Sequence, residues 1–157
     1  MSKYLKIIGK EAKKAIKNKV DSKTKNKVLN SFLLLLTKNQ NKILQENKKD
    51  IKFAKKNKLK ANLIDRLVLN SKKLVSIKKS VEDIIKLEDP VDKILENWKR
   101  PNGLNIKKVS TPIGVIAVIY ESRPNVTSDI SSLCFKSGNA VILRGGSEAI
   151  NTNKILS

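Results

Sequence analysis

Two short segments gather the side chains able to bind and act on a small anionic molecule. Glu121-Ser122-Arg123-Pro124-Asn125 offers a carboxylate, a hydroxyl, a guanidinium and an amide within five positions. Arg144-Gly145-Gly146-Ser147-Glu148 repeats the cation, hydroxyl and carboxylate around a glycine pair. A guanidinium holds phosphate or carboxylate at two points, and an amide N–H can donate to charge that develops in a reaction. Two of the chain's four arginines, Arg123 and Arg144, lie here, in the part with the fewest lysines. Plainer roles are also open. Gly145 and Gly146 suit a strand-to-helix turn, Asn125 suits a helix N-cap, and Arg123 could pair with Glu121. Neither segment is a Gly-x-Gly-x-x-Gly fingerprint or a Walker loop. Cys134 is the only thiol, on the apolar face of a helical stretch beside Leu133. With no His anywhere to activate it, it reads as a buried, inert thiol.

Composition narrows the chemistry. The 157 residues contain no His and one Cys, which excludes imidazole bases, His-ligated metals, Ser-His-Asp or Cys-His pairs, internal disulfides and thiolate zinc clusters within this chain. The start, Met-Ser-Lys-Tyr-Leu-Lys, lacks a signal-peptide core. The longest apolar stretches, Phe32–Leu36 and Val115–Tyr120, fall far short of the roughly 20 residues needed to cross a bilayer. A soluble protein of the reducing cytoplasm is expected. The formal charge is 34 − 14 = +20, but 30 of the 34 cations are Lys, and Asn (16) and Ile (18) are also abundant. An A/T-rich coding sequence gives that trio by drift, whereas specific phosphate or nucleic-acid sites favour Arg. The charge is uneven: 19 − 4 = +15 over residues 1–60, 11 − 7 = +4 over 61–108, and 4 − 3 = +1 over 109–157. A solvated lysine coat is the expectation, with no specific nucleic-acid partner.

Three zones must position the two segments. Residues 1–90 read as a helical region. Leu5, Ile8, Ala12, Ala15 and Ile16 recur at helical spacing, and Val28, Phe32, Leu35 and Leu36 mark a second helix with Ser22 or Thr24 as cap. Ile51 and Ala54, then Leu63, Ile64 and Leu67, predict two shorter helices. Ser71 can cap a helix carrying Leu74, Ile77, Val81, Ile84 and Ile85, which Asp89-Pro90 ends. Residues 91–109 read as a hairpin arm turning at Arg100-Pro101-Asn102-Gly103, its second strand burying one face through Leu104, Ile106 and Val109. Residues 110–157 differ in kind. Ile113–Tyr120 is a β-branched run like a strand covered on both faces. Val126–Lys136 follows as a helix capped by Asn125 or Thr127, with Ile130, Leu133 and Cys134 inward. Ser137-Gly138-Asn139 stops it, Ala140–Leu143 forms a second buried strand, and Ser147-Glu148 opens another helix. That order is a βαβ unit. Ligands of such sheets bind beyond the carboxyl ends of the strands, where helix N-termini favour anions. Both strands read as central ones, so the chain is expected to be the front part of a longer protein.

The run from Gly114 to Ile119, then Tyr120-Glu121-Ser122-Arg123-Pro124-Asn125-Val126-Thr127, then Leu133 through Ala149, closely resembles the γ-glutamyl phosphate reductases (glutamate-5-semialdehyde dehydrogenases) of the aldehyde dehydrogenase superfamily. The resemblance extends upstream through Asp65-Arg66-Leu67-Val68-Leu69, Leu87-Glu88-Asp89-Pro90 and Arg100-Pro101-Asn102-Gly103-Leu104. It covers essentially the whole chain as an N-terminal portion. The fold class implied is α/β: an N-terminal helical segment, a β-hairpin arm and the first βαβ unit of an aldehyde-dehydrogenase-type dinucleotide-binding domain, incomplete.

The resemblance implies NADPH-dependent reduction of L-glutamyl 5-phosphate to L-glutamate 5-semialdehyde and phosphate, the second step of proline synthesis from glutamate. A family cysteine thiolate attacks the acyl phosphate, phosphate leaves, and hydride reduces the thioester. Cys134 matches a helix cysteine of the family motif rather than that nucleophile, so the chain alone is expected to be inactive. By the same resemblance Arg144 meets the 2′-phosphate of NADPH, and Ser147 or Glu148 faces the ribose. Asn125 is the oxyanion donor, although Glu-Ser-Arg-Pro-Asn stands where other superfamily members have Trp-Asn. Arg123 meets the substrate's phosphate or carboxylate. The hairpin helps subunits associate, so a homo-oligomer is implied for the full-length protein. A polyanion-binding module and a non-catalytic remnant are the alternatives. The scarcity of aromatics, Trp98 with two Tyr and three Phe, counts against the former.

Overall fold

A computed structural model describes residues 3–157. Five helices come first: α1 Lys3–Ala15, α2 Ser22–Lys38, α3 Gln40–Lys56, α4 Ala61–Leu67 and α5 Ser71–Lys86. Strands β1 Ile94–Lys99 and β2 Asn105–Val109 form the hairpin. Then come β3 Val115–Ile119, α6 Pro124–Lys136, β4 Ala140–Arg144, a single 3₁₀ turn at Ser147–Ala149, and α7 Ile150–Leu156. The chain is α/β, as expected.

The core is helical. Leu36, Ile43, Leu69, Leu74, Ile77 and Leu156 pack into one buried cluster, and Ala54, Leu67 and Ala149 into another. Both join the early helices to the end of the chain. Each buried Leu or Ile contributes roughly 1.5–3 kcal/mol by leaving water. The expected periodicity of α2 needs correction. Its inward stripe is Lys25, Leu29, Phe32 and Leu36, while Val28 and Leu35 are exposed. The caps also differ: the Asp21 carboxylate accepts from Thr24 N–H at 2.6 Å, and the Asn70 side chain accepts from Lys73 N–H at 2.9 Å. A side chain one residue earlier can reach the orphan N–H, so Ser22, Thr24 and Ser71 become helical. Where Ile51 and Ala54 predicted a short piece, α3 runs 17 residues, its polar stretches held by burial of Asn47 and Asp50.

Two lysines leave the solvated coat. Lys25 Nζ lies 2.8 Å from Asp89 Oδ2, with the two side chains 3% and 15% exposed. Lys136 donates to Asn26 Oδ1 at 2.6 Å and to the Ile85 carbonyl at 2.9 Å. Together they fasten α2, the end of α5 and α6.

The hairpin turns where expected, with Gly103 at φ +85° and its N–H bonded to the Arg100 carbonyl at 2.9 Å. Trp98 faces Ile106 across it. Neither face is buried: Leu95, Trp98, Leu104 and Val109 are all exposed, because no other described element covers the arm.

β3 and β4 pair in parallel, from Val115 against Ala140 to Ile119 against Arg144, with α6 as crossover. Helix α6 ends as predicted. Gly138 has φ +72°, and the Asn139 N–H reaches the Cys134 carbonyl at 2.8 Å. A Cβ at Gly138 would also lie 3.0 Å from Val91. The strands are less covered than the run of apolar residues predicted. β3 is half-buried at Val115, Ile116 and Val118 and exposed at Ala117 and Ile119, the last 80% exposed, and β3 and β4 have only each other as strand neighbours among the described residues.

Candidate active site

The parallel register sets Ile119 beside Arg144, so the two segments start side by side, and Tyr120 N–H donates to the Arg144 carbonyl at 3.1 Å. The buried Ser122 hydroxyl donates to the Glu148 carboxylate, tying one segment to the other. Tyr120 Oη lies 2.6 Å from Thr127 Oγ1, which in turn donates to Asn153 Oδ1 at 3.0 Å. These bonds leave little room. A Cβ at Gly145 would stand 2.3 Å from Asn153 Nδ2 and 3.0 Å from the Tyr120 ring, and one at Gly146 would stand 2.5 Å from Ser122 Oγ. The glycine pair is therefore favoured by close side-chain packing rather than by a left-handed backbone.

In the first segment, Arg123 N–H bonds the Glu121 carbonyl at 2.7 Å, and Arg123 occupies the N-cap position of α6 without a side-chain cap. Pro124 follows at the first helical position, where its missing N–H costs nothing. Asn125 and Thr127 thus lie inside the helix, correcting their expected role as caps. Asn125 Nδ2 donates to Asp129 Oδ2 one turn on, at 3.1 Å. Glu121 pairs not with Arg123 but with Arg66 of α4, at 2.5 Å. Arg123 has no ion pair among the described residues.

A groove of about 310 Å³ opens between α5 and the start of α6, lined by Arg66, Lys73, Arg123, Asn125 and Asp129 with Val68, Leu69, Ile77 and Pro124. Arg66 and Lys73 come from the helical zone. No local spacing singled them out, and the only signal was their place in or near the Asp65–Leu69 stretch. Lys73 Nζ caps the end of α4, donating to the carbonyls of Asp65 at 3.1 Å and Val68 at 2.7 Å.

In the second segment Arg144 and Ser147 are exposed and Glu148 is half-buried. The hydrogen bond from Ser122 holds the Glu148 carboxyl below its usual range, and Ser147 Oγ lies 3.3 Å from its other oxygen. The strand-to-helix order predicts anion affinity at the helix start here. Instead Asp50 of α3 occupies it, accepting the N–H groups of Asn151 at 3.1 Å and Thr152 at 2.7 Å. An exposed guanidinium, Arg144, and an exposed hydroxyl, Ser147, remain free to meet an anionic ligand.

Cys134 is buried, and burial pushes its thiol up, away from nucleophilic thiolate. No group of three or more His, Cys, Asp or Glu able to hold a metal occurs among the described residues. No described helix is long and apolar enough to cross a membrane.

No protein-family model matches the chain. Curated relatives do. It is 52% identical over 153 residues to a γ-glutamyl phosphate reductase of Thermoanaerobacter sp. (strain X514), covering 96% of this chain and 37% of that protein. It is 48% identical over 158 residues to the γ-glutamyl phosphate reductase of Clostridium tetani, with 99% and 37% covered. Among solved structures, the γ-glutamyl phosphate reductase of Thermotoga maritima matches with TM-score 0.90 and 40% identity, over 94% of this chain and 36% of that one. The Saccharomyces cerevisiae enzyme matches with TM-score 0.91 and 35% identity, over 99% and 41%. In sequence and in backbone the chain is therefore similar to γ-glutamyl phosphate reductases along nearly its whole length, and it spans a little over a third of the length of these relatives.

Proposed function

We propose that this chain supplies the N-terminal part of a cytoplasmic, NADPH-dependent reductase that converts L-glutamyl 5-phosphate to L-glutamate 5-semialdehyde and phosphate, in proline synthesis. The observation that carries it is the convergence of two polar segments at the carboxyl ends of parallel β3 and β4, joined by Ser122 and Glu148. Residues 1–90 form the helical region that walls the substrate side, 91–109 the arm through which subunits associate, and 110–157 the start of the cofactor-binding domain.

Within that division Arg144 takes the 2′-phosphate, being exposed and without an ion pair among the described residues. Ser147 meets the ribose. Glu148 backs it up, since its carboxylate is already engaged by Ser122. NADPH, when bound, supplies the hydride. Arg123 binds the substrate's anionic end, and Asn125 offers the N–H not given to Asp129 to a developing oxyanion. A buried thiol with a raised pKa is no nucleophile, so the attacking cysteine is not Cys134.

The test is nucleotide affinity. Arg144→Glu, measured by isothermal titration, weakens NADPH at least about tenfold, the equivalent of one charge-assisted hydrogen bond, and leaves NADH within about twofold. Equal losses for both nucleotides would remove Arg144 from the 2′-phosphate.

A further inference from the structure

The groove between α5 and α6 has an unusual charge composition: three cations, Arg66, Lys73 and Arg123, line it together with a single carboxylate, Asp129. None of the three pairs with Asp129. Arg66 is engaged by Glu121 through one nitrogen, Lys73 gives two of its protons to backbone carbonyls, and Arg123 is unpaired among the described residues. Asp129 is short of donors. Its Oδ2 accepts from Asn125, while Oδ1 is buried and accepts from nothing. A carboxylate oxygen out of water without a donor is costly, so Asp129 gains from any N–H donor brought against it from the groove.

The charges discriminate among ligands. A simple anion would satisfy the arginines but sit against an underpaired carboxylate. A simple cation would meet Asp129 but be repelled by Arg123 and Lys73, which have no carboxylate partner among the described residues. A molecule carrying an ammonium and a carboxylate on one carbon satisfies both. Val68, Leu69, Ile77 and Pro124 give its methylenes an apolar wall.

We infer that this groove is the receptor for the α-amino-acid head of the substrate, with Asp129 taking the α-ammonium and Arg123, assisted by Arg66, the α-carboxylate. The inference rests on the proposed reductase function and goes further than it, because it sets substrate choice. The free ammonium is required, so a glutamyl phosphate acylated on nitrogen is rejected. It also makes Asn125 bifunctional, one N–H holding Asp129 in place and the other facing the ligand.

The experiment is a titration of the 157-residue chain followed by amide NMR, using L-glutamate, N-acetyl-L-glutamate (no ammonium) and 4-aminobutyrate (no α-carboxylate). L-Glutamate produces saturable shifts in the first two turns of α6, and either analogue binds at least about tenfold more weakly, the loss of one charged hydrogen bond. Asp129→Asn abolishes the preference for glutamate over its N-acetyl form, while Arg123→Gln weakens both equally. The amide spectrum itself reports whether each variant is folded, and Asp129→Glu, which keeps the charge, retains part of the preference. Equal affinity for glutamate and N-acetylglutamate, a preference that survives in Asp129→Asn, or no saturable shift overturns the receptor. NADPH titrated into the same samples separates the two ideas. A nucleotide response around Gly145 and Gly146 without ammonium selectivity sinks the receptor and leaves the reductase standing, and silence to both ligands sinks both.

Discussion

Asp50 and Thr152, 102 residues apart, are joined twice: one carboxylate oxygen accepts the Thr152 N–H at 2.7 Å and the Thr152 hydroxyl at 2.6 Å. The other oxygen accepts the backbone and side-chain N–H groups of Asn151, at 3.1 and 2.7 Å. Asn47, one turn earlier on α3, bonds Thr152 Oγ1, the Leu67 carbonyl and Leu69 N–H. A protein carboxylate thus takes the N–H groups of Asn151 and Thr152 at the start of α7 and ties α3 to the end of the chain.

Replacing Asp50 tests this node. Asp50→Asn keeps the volume but turns an NH₂ toward groups that are themselves donors. With the site fully buried, the loss should be about 3 kcal/mol, the range for breaking a buried charged network. Urea denaturation followed by circular dichroism measures it. A loss under about 0.5 kcal/mol, typical of a surface change, would show that the node is not structural.

The buried pair Lys25–Asp89 gives a prediction with a sign. Burial raises the Asp89 carboxyl, but the hydrogen bond and charge of Lys25, the Val91 N–H and the charge of Lys136 outweigh it, so the folded value lies below the ordinary one. Such a depressed carboxyl contributes stability that is full above its unfolded value near 3.9 and is lost as pH falls through the lower folded value. Lys25→Met leaves burial opposed only by the Val91 N–H and the charge of Lys136, so the carboxyl rises. The variant should lose about 3 kcal/mol at pH 7, and the gap should narrow as pH is lowered toward 4. A gap that stays constant over that range would contradict the pairing.

These residues show where sequence patterns reach and where they stop. Hairpin turn, helix stop and parallel strand pair were legible because each depends on neighbours in sequence: Gly103 and Gly138 at positive φ, β-branched runs at Val115–Ile119 and Ala140–Leu143. Asp50, Asn47, Lys25 and Lys136 were not. Their partners lie between 20 and 110 residues away, and by composition each belonged to the solvated surface. The candidate site divided the same way. Arg123, Asn125, Arg144 and Ser147 announced themselves as post-strand residues, whereas Arg66 and Lys73 reach the groove only through the packing of α4 and α5.

The glycine pair supplies a third test. Gly145→Ala places a methyl against Asn153 and the Tyr120 ring, side chains that also share hydrogen bonds with Thr127. Overpacking of this kind costs roughly 1–3 kcal/mol. The same substitution at Gly103, with open space around it, is strained only by its backbone at φ +85°. Thermal melts of the two variants, together with the Tyr120 ring shifts in NMR, separate crowding from strain: only Gly145→Ala should move the ring.

Ser122 and Glu148 provide the last test, through pH. The Ser122 hydroxyl is the largest cause of the lowered Glu148 carboxyl, ahead of the Glu148 N–H, while burial pushes the other way. In Ser122→Ala the carboxyl should titrate upward, toward the glutamate value of about 4.3, as followed by carboxyl carbon shifts. The stability that Glu148 contributes is present above that value and disappears as pH falls through its lower folded pKa, so parent and variant should converge in acid. Because the bond ties the two segments together, the variant should also loosen the loop after β4 and weaken NADPH and NADH alike, in contrast to the 2′-phosphate selectivity expected at Arg144. An unchanged Glu148 titration would mean that the segments are held together by packing at Gly145 and Gly146 rather than by this hydrogen bond.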